Sequence, residues 1–256
     1  MKKILLPSYF RNGFLSILKI FVGTIARTRV SGHDVKFLYV LGFLSLKPLV
    51  FLLKDSNSQL RQDLFVLSKT KYMRNGYFVE FGATNGIDLS NTYLLEKAFA
   101  WTGILAEPAK AWESDLRNNR PEAVIETSCL WSDSNSILKF AETENLEFSK
   151  SVIMHEEEID KQSMKTIDTY DVRTISLLDL LRKYHAPTHV DYLSIDTEGS
   201  EYEILNAFDF TEYSFGVITV EHNYTPQREL IFELLSRNGY KRIYTEISRF
   251  DDWYVS

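Results

Sequence analysis

The stretch Tyr77–Gly86, YFVEFGATNG, joins a short apolar run to an acidic residue and a turn with two glycines. Such a run predicts a buried strand, and the residues after the turn predict a helix with Ser90 or Asn91 at its N-cap. Glycines let the backbone approach a ligand closely, and the first turn of a helix offers free N–H groups. The stretch is typical of a nucleotide or nucleoside cofactor site at the first strand of an open α/β sheet.

The turn itself favours a cofactor that carries positive charge. A dinucleotide site needs Gly-x-Gly-x-x-Gly, whose middle glycine lets a pyrophosphate approach, whereas here Thr84 stands between Gly82 and Gly86. Glu80 precedes the turn, and a carboxylate attracts the sulfonium and ammonium groups of S-adenosylmethionine but repels a phosphate. The sequence therefore favours S-adenosylmethionine over a dinucleotide.

A second predicted strand supports the cofactor site. Gly103–Glu107 is apolar until its last residue, and Pro108 ends the strand there because proline cannot continue a central strand. Glu107 follows Gly86 by about 20 residues, the spacing at which an acidic side chain binds ribose hydroxyls in such folds. Glu107 is therefore predicted to bind the ribose.

Two further predicted strands, Val190–Asp196 and Phe215–Asn223, also end in polar groups. Ligands of open parallel sheets bind beyond the carboxyl ends of the strands, which all lie along one edge. The chain is therefore expected to bring six titratable side chains to that edge: Glu80, Glu107, Asp196, Glu198, Glu221 and His222.

The order of these motifs resembles the FkbM-like family of S-adenosylmethionine-dependent methyltransferases. The resemblance extends over roughly residues 58–256 and is carried by FVEFGA with Asn85-Gly86, GILAEP (103–108), IDTEGSE (195–201) and Val220-Glu221. It implies an α/β Rossmann-like fold with a mostly parallel seven-stranded sheet, and O-methylation of a hydroxyl, often on a sugar. The predicted cofactor-binding residues are Glu80, Gly82, Ala83, Asn85, Gly86, Ser90, Asn91, Thr92, Glu107, Pro108 and Asp196.

The rest of the chain predicts one methyltransferase domain over 58–256, with residues 1–57 as a helical extension. Residues 142–168 are rich in charge and are predicted to form either a mobile insertion near the acceptor or a solvated loop. The remaining elements are predicted as helices at Thr92–Ala100, Trp112–Asn119 and Gln227–Asn238, a further helix that Ser176 caps and that runs through Lys183, strands at Ala123–Cys129 and Ser136–Ala141, and a terminal antiparallel hairpin of Tyr240–Glu246 with Asp252–Val255.

Composition is that of an intracellular enzyme. The chain has 256 residues, a net charge of −6 and a single cysteine, Cys129, so an internal disulfide is excluded. An acidic chain is poorly suited to a nucleic-acid backbone as substrate. We therefore expect a cytoplasmic enzyme that acts on a small-molecule or glycan hydroxyl and not on nucleic acid.

The N-terminal extension is apolar and basic, and two interpretations of it are open. Residues 37–53 are short for a membrane span and are interrupted by Lys47 and Pro48, and Pro7 and Arg11 break any signal-peptide pattern. The extension could lie as an amphipathic arm on the anionic inner face of a membrane. Packing on the catalytic domain or on a second subunit is the interpretation that we favour.

Methyl transfer to oxygen needs alignment of the two substrates and a base for the acceptor proton. Asp196 and His222 are the candidate bases, and Glu198 is a third candidate for the site. Histidine needs little change of its pKa for this role. Carboxylates at these strand ends would also suit Mg²⁺, although catalysis without a metal is favoured.

Two other classes of protein remain as alternatives. Tyr93 and Lys97 have the Tyr-x-x-x-Lys spacing of short-chain dehydrogenases, but they follow the glycine turn too soon, which argues against a NAD-dependent oxidoreductase. A catalytically inactive scaffold that binds a membrane or a partner would keep the fold without the chemistry. Binding of S-adenosylmethionine distinguishes a methyltransferase from both.

Overall fold

The computed structural model describes residues 18–42, 47–143, 150–152 and 166–256. Of the predicted insertion 142–168, residues 144–149 and 153–165 lie outside the described residues. The helices are α1 (residues 18–26), α2 (Gly32–Leu41), α3 (Lys47–Leu52), α4 (Gln62–Lys69), α5 (Tyr93–Phe99), α6 (Lys110–Asn119), α7 (Leu177–Lys183), α8 (Glu201–Asn206), α9 (Gln227–Arg237) and α10 (Thr245–Ser248). The strands are β1 (Tyr77–Phe81), β2 (Thr102–Ala106), β3 (Val124–Glu126), β4 (Cys129–Trp131), β5 (Ile137–Thr143), β6 (Lys150–Val152), β7 (Thr166–Ser176), β8 (His189–Ile195), β9 (Ser214–Glu221), β10 (Lys241–Ile243) and β11 (Asp251–Val255).

The main sheet has seven strands in the order β3-β2-β1-β8-β9-β11-β10. The five strands from β3 to β9 are parallel, whereas β11 is antiparallel to both β9 and β10. The chain order reverses between β1 and β8, and ligands of open α/β sheets bind where this happens. The predicted sheet with a terminal antiparallel hairpin is confirmed.

A smaller sheet, in the order β4-β7-β5-β6, lies beside the main one. The predicted strand Ala123–Cys129 was wrong in extent, because the chain leaves the main sheet after Glu126 and Cys129 pairs with Thr174 of β7 in the smaller sheet. The predicted extra strand is present and longer than expected, since it continues to Thr143. The smaller sheet thereby adds Cys129, Leu130 and Phe140 to the wall of a cavity at the edge of the main sheet.

Helices cover both faces of the main sheet. Successive strand residues point to opposite faces, so Val79 and Phe81 pack with α7–α9 on one face, and Phe78 packs with the N-terminal helices, α4 and α5 on the other. Trp253 and Phe65 stack at 4.6 Å between ring centroids within the second layer. Both faces are therefore buried, as a mostly parallel sheet requires.

The described part of the N-terminal extension packs on the sheet. Val22, Phe37 and Leu49 belong to the same apolar cluster as Phe65 and Trp253. None of the helices among the described residues is long and apolar enough to cross a membrane.

Local signals at helix ends are reproduced with small differences. Ser176 caps α7 by accepting a hydrogen bond from the Asp179 N–H at 3.2 Å. The helix after the glycine turn begins at Tyr93 with Thr92 at its N-cap, and not with Ser90 or Asn91 there. The Ser90 hydroxyl still accepts hydrogen bonds from the N–H groups of Thr92 and Tyr93. Ser90 therefore caps the start of the helix although it lies two residues before Thr92.

Candidate active site

The glycine turn after β1 lies against the carboxyl end of β8. Gly82 has φ +71°, and a Cβ placed on it would lie 2.1 Å from the backbone oxygen of Asp196. Only glycine fits there, because both the backbone conformation and the space exclude a side chain. The turn therefore sets the first predicted cofactor-binding glycine directly beside Asp196.

Glu80 holds the turn and the start of α5 together. Its buried carboxylate accepts hydrogen bonds from the Asn91 N–H at 2.6 Å, from the Ser90 hydroxyl at 3.0 Å and from the Thr92 hydroxyl. Burial raises the pKa of Glu80, while Arg120 and these three donors oppose the shift. One edge of Glu80 also lines the cavity, so it can act on a ligand while organising the loop.

Arg120 supports the same loop from behind, and the sequence patterns did not point to it. Its fully buried guanidinium donates to Glu96 at 2.7 Å, to the Gly86 carbonyl at 3.0 Å and to the Thr92 hydroxyl at 3.0 Å. A Cβ at Gly86 would lie 2.6 Å from the Arg120 Cγ. Gly86 is therefore needed for packing against Arg120, and it does not line the cavity.

A cavity of about 300 Å³ lies beyond the carboxyl ends of β1, β2, β8 and β9. This is the lower end of the usual range for small-molecule sites. Of the predicted site residues, the structure brings Glu80, Gly82, Asn91, Glu107, Pro108, Asp196 and Glu198 to its wall. Ala83, Asn85, Gly86, Ser90, Thr92 and His222 do not line it.

Asn91 lines the cavity and Asn85 does not, and their side chains have different roles. The Asn85 side chain accepts from the N–H groups of Ile87 and Asp88, both at 2.9 Å, and so shapes the turn. Asn91 donates to the Ser194 hydroxyl at 2.9 Å, while its buried Oδ1 has no hydrogen-bond partner among the described residues. A buried acceptor usually has a hydrogen-bond partner, so the Asn91 Oδ1 is a group that a donor from a ligand could satisfy.

Glu107 lies at the end of β2, where its two carboxylate oxygens accept from the N–H groups of Thr84 and Ala109, both at 2.9 Å. Burial raises the pKa of Glu107 to about 7, and the two N–H donors oppose that shift. A carboxylate has about four acceptor positions, so two remain for ribose hydroxyls.

Tyr93 and Lys97, the alternative dehydrogenase pair, do not line the cavity.

Three carboxylates meet on the opposite wall. Ligand oxygens of Asp196, Glu198 and Glu221 lie within 4.8 Å of one another. Burial raises the pKa of Asp196 to about 7, and burial together with the charge of Asp196 raises the pKa of Glu221 further. Glu221 therefore keeps its proton and donates it in a hydrogen bond to Asp196. The oxygen ligands of the cluster are also of the kind that Mg²⁺ prefers.

Gln62 extends this wall and Asp251 lies buried behind it, and neither was predicted. Because β11 is antiparallel to β9, its first residue, Asp251, pairs with the last residue of β9, Glu221. Gln62, the first residue of α4, donates to Asp251 at 2.8 Å and lines the cavity, which fixes the start of α4 against the sheet edge. Burial raises the pKa of Asp251 to about 7.

His222 points away from the cavity. Its neighbour Glu221 lines the cavity, and adjacent strand residues face opposite sides of a sheet. The His222 Nδ1 accepts from the Tyr224 N–H at 2.9 Å, and its Nε2 lies 3.8 Å from Asp252. Burial lowers the pKa of His222, which keeps the ring neutral. The structure thus brings Asp196 and Glu198 together with Glu221, without His222.

The buried carboxyls predict how stability depends on pH. Asp196, Glu107 and Asp251 all have a pKa raised to about 7 by burial, so between about pH 4 and pH 7 the folded state binds more protons than the unfolded state. We expect the free energy of unfolding in urea to be lower at about pH 8 than at about pH 5.5, by about 1 kcal/mol or more.

Asp196→Asn should reduce this difference, whereas Asp115→Asn on the exposed surface of α6 should leave it unchanged. A free energy of unfolding that rises between the two pH values would contradict the proposed ionisation of the cavity wall.

The family follows from the sequence match. The model of the methyltransferase FkbM domain matches residues 80–242, which is more than half of the chain and contains the glycine turn, Glu107 and the acidic wall. The chain belongs to the FkbM methyltransferase family. This family is one of S-adenosylmethionine-dependent methyltransferases. A comparison with curated proteins gives no match.

Several solved structures similar to this FkbM protein are methyltransferases of low sequence identity. Methyltransferase FkbM from Methylobacillus flagellatus KT is 14% identical, with a TM-score of 0.47 over 92% of this chain and 58% of that one. The METTL16 MTase domain is 10% identical, with a TM-score of 0.45 over 95% and 90% of the two chains. Precorrin-6y C5,15-methyltransferase from Geobacter metallireducens GS-15 is 13% identical, with a TM-score of 0.40 over 76% and 87%.

Proposed function

We propose that this FkbM protein is an O-methyltransferase that transfers a methyl group to a hydroxyl of a sugar-containing acceptor. The observation that carries the proposal is the carboxylate wall of Asp196, Glu198 and Glu221, which faces the cavity beside the glycine turn. Carboxylates accept hydrogen bonds from hydroxyls and can take up a proton, and several acceptors side by side suit the neighbouring hydroxyls of a sugar.

The cavity residues fit S-adenosylmethionine. Glu107 would hold the ribose hydroxyls, and the unpaired Oδ1 of Asn91 would accept from the ammonium group. Leu130 and Phe140 would pack against the adenine from the side of the smaller sheet. When bound, the cofactor supplies an electrophilic methyl group on a positively charged sulfur. The acidic wall favours that charge.

Asp196 is the proposed base. Its carboxylate would accept the proton of the acceptor hydroxyl, while the bound cofactor would supply the methyl group to the hydroxyl oxygen and its sulfur would leave as a neutral thioether. Glu221 holds Asp196 through its hydrogen bond and, being protonated, limits the negative charge of the pair. His222 has no part in this step because it lies on the other face of the sheet.

The test is transfer of labelled methyl from S-adenosylmethionine to a panel of free sugars, sugar phosphates and nucleoside-diphosphate sugars. We expect label on at least one hydroxyl-bearing acceptor, at the same rate with and without EDTA. No transfer to any hydroxyl, with transfer to an amine or thiol acceptor, would overturn O-methylation. Loss of activity in EDTA that Mg²⁺ restores would assign the carboxylate wall to a metal instead of to base catalysis.

A further inference from the structure

A second cleft adjoins the cofactor cavity on the side of the N-terminal helices. It has a volume of about 910 Å³ and is open to solvent. Gln59 lines both the cleft and the cofactor cavity, and Arg249 of the cleft immediately precedes Phe250 of the cavity wall. A ligand in this cleft can therefore extend into the site of methyl transfer.

The cleft is built by contacts between two segments that are distant in the sequence. The His33 ring is hydrogen-bonded to the Ile247 carbonyl at 2.9 Å, and Lys36 donates to the Glu246 carbonyl. These contacts fasten α2 to α10. As a result Arg29, which precedes α2, and Arg249, which follows α10, line the same cleft.

The cleft is positively charged, whereas the chain as a whole has a net charge of −6. Among the described residues, Arg29, Arg61 and Arg249 line it together with one carboxylate, Asp34. The His33 ring adds no charge near neutral pH, because burial lowers its pKa. Three guanidinium groups against one carboxylate leave an excess of positive charge next to the acidic wall of the cofactor cavity.

Two of the arginines have no ion-pair partner among the residues that the structure describes. Arg61 donates to Asp34 at 2.7 Å and to the Ser56 carbonyl at 2.8 Å, which positions it and neutralises the carboxylate. Arg29 and Arg249, by contrast, form no ion pair with any of the residues that the structure describes, and both are exposed. They are available to an anionic ligand.

We propose that this cleft binds a phosphate or diphosphate group of the methyl acceptor. The inference rests on the proposed function and extends it, because it assigns the acceptor to phosphorylated sugars. Guanidinium groups match phosphate oxygens in geometry as well as in charge. The cationic cofactor suits the carboxylate cavity, while an anionic acceptor suits the arginine cleft, so the two clefts separate the two substrates by charge.

The experiment is calorimetric titration of the full chain, with S-adenosylmethionine present, by inorganic pyrophosphate and by a nucleoside-diphosphate sugar. The cleft variant carries both Arg29→Gln and Arg249→Gln. The matched control is Arg117→Gln with Arg237→Gln, which removes two exposed arginines on α6 and α9. We expect the arginine-cleft variant to bind both probes about ten-fold more weakly or worse, and the control to bind them as the wild type does.

Affinity for S-adenosylmethionine, titrated separately, should be the same in all three proteins. Pyrophosphate binding that is absent, or unchanged in the cleft variant, would overturn the proposal. A loss of cofactor affinity in the cleft variant would also overturn it, because the arginines would then serve the cofactor. Failure of the wild type to bind S-adenosylmethionine would instead refute the proposed function, whatever the pyrophosphate result.

A third arm separates a phosphorylated acceptor from a lipid surface. Sedimentation with vesicles of phosphatidylglycerol and phosphatidylcholine measures binding to an anionic membrane. Vesicle binding that depends on Arg29 and Arg249, without binding of either soluble probe, would assign the cleft to a membrane and overturn the acceptor site.

Discussion

Gly82→Ala is expected to abolish S-adenosylmethionine binding and to destabilise the fold by roughly 2–5 kcal/mol. The new Cβ would meet the backbone oxygen of Asp196 at 2.1 Å, with φ at +71°. Neither group can move aside easily, because the turn and Asp196 end two adjacent central strands of the sheet. Relief of the clash must therefore separate the glycine turn from the acidic wall, and the cavity lies between them.

Gly239→Ala is the matched control for this change. Gly239 also has a positive φ, +91°, but a Cβ there would have no atom within 4 Å. It should cost about 1 kcal/mol from backbone strain alone and leave cofactor affinity unchanged. Urea unfolding and calorimetry on both variants separate the steric effect from the backbone effect. Wild-type cofactor affinity in Gly82→Ala would show that the turn does not form the cofactor site.

Asp196→Asn is expected to lower the rate of methyl transfer by about 10²–10⁴-fold, the usual contribution of a general base. The amide cannot take the hydroxyl proton, although it has nearly the shape of the carboxylate. Cofactor affinity should fall by less than about ten-fold, since Glu80 and Glu198 remain in the cavity wall. Initial rates at saturating cofactor and acceptor give the comparison.

Two further variants make the assignment specific. Glu221→Gln should lose much less activity, because an amide can still donate the hydrogen bond that the protonated Glu221 gives Asp196. Asp115→Asn, on the exposed surface of α6, should be fully active.

The rate of the wild type should rise with pH through about 7 as Asp196 loses its proton. An active Asp196→Asn enzyme would remove Asp196 from the role of base.

The central part of the site could be predicted from the sequence because its signals are local. Each of Glu80, Glu107 and Asp196 ends or nearly ends an apolar run, and parallel strands bring their carboxyl ends to one edge. The glycine turn is local too, since Gly82 and Gly86 both have positive φ in the structure.

The residues that sequence reasoning missed depend on long-range pairing. Asp251 lies beside Glu221 because the last strand is antiparallel, so it is the start of β11 and not its end that meets the edge. Side chains alternate between the two faces of a strand, so Glu221 and His222 at the end of β9 are expected on opposite faces. This rule would have predicted from the sequence that His222 faces away from the cavity.

No local sequence pattern predicts Arg120 or the arginine cleft. Arg120 contacts Glu96 and Gly86, residues that precede it by a whole strand and helix. The cleft joins Arg29 to Arg249 through contacts between α2 and α10. Charge counted along the sequence shows an acidic protein, and only the folded chain separates its basic cleft from its acidic cavity.

Calorimetric titration with S-adenosylmethionine tests the central claim most directly, with the wild type beside Glu107→Ala and the surface control Glu122→Ala. We expect micromolar binding by the wild type and the control, affinity at least about ten-fold weaker in Glu107→Ala, and no binding of NAD. Thermal unfolding of each protein confirms that it is folded. A folded wild type that does not bind S-adenosylmethionine, or a Glu107→Ala variant with unchanged affinity, would contradict the cofactor site described above.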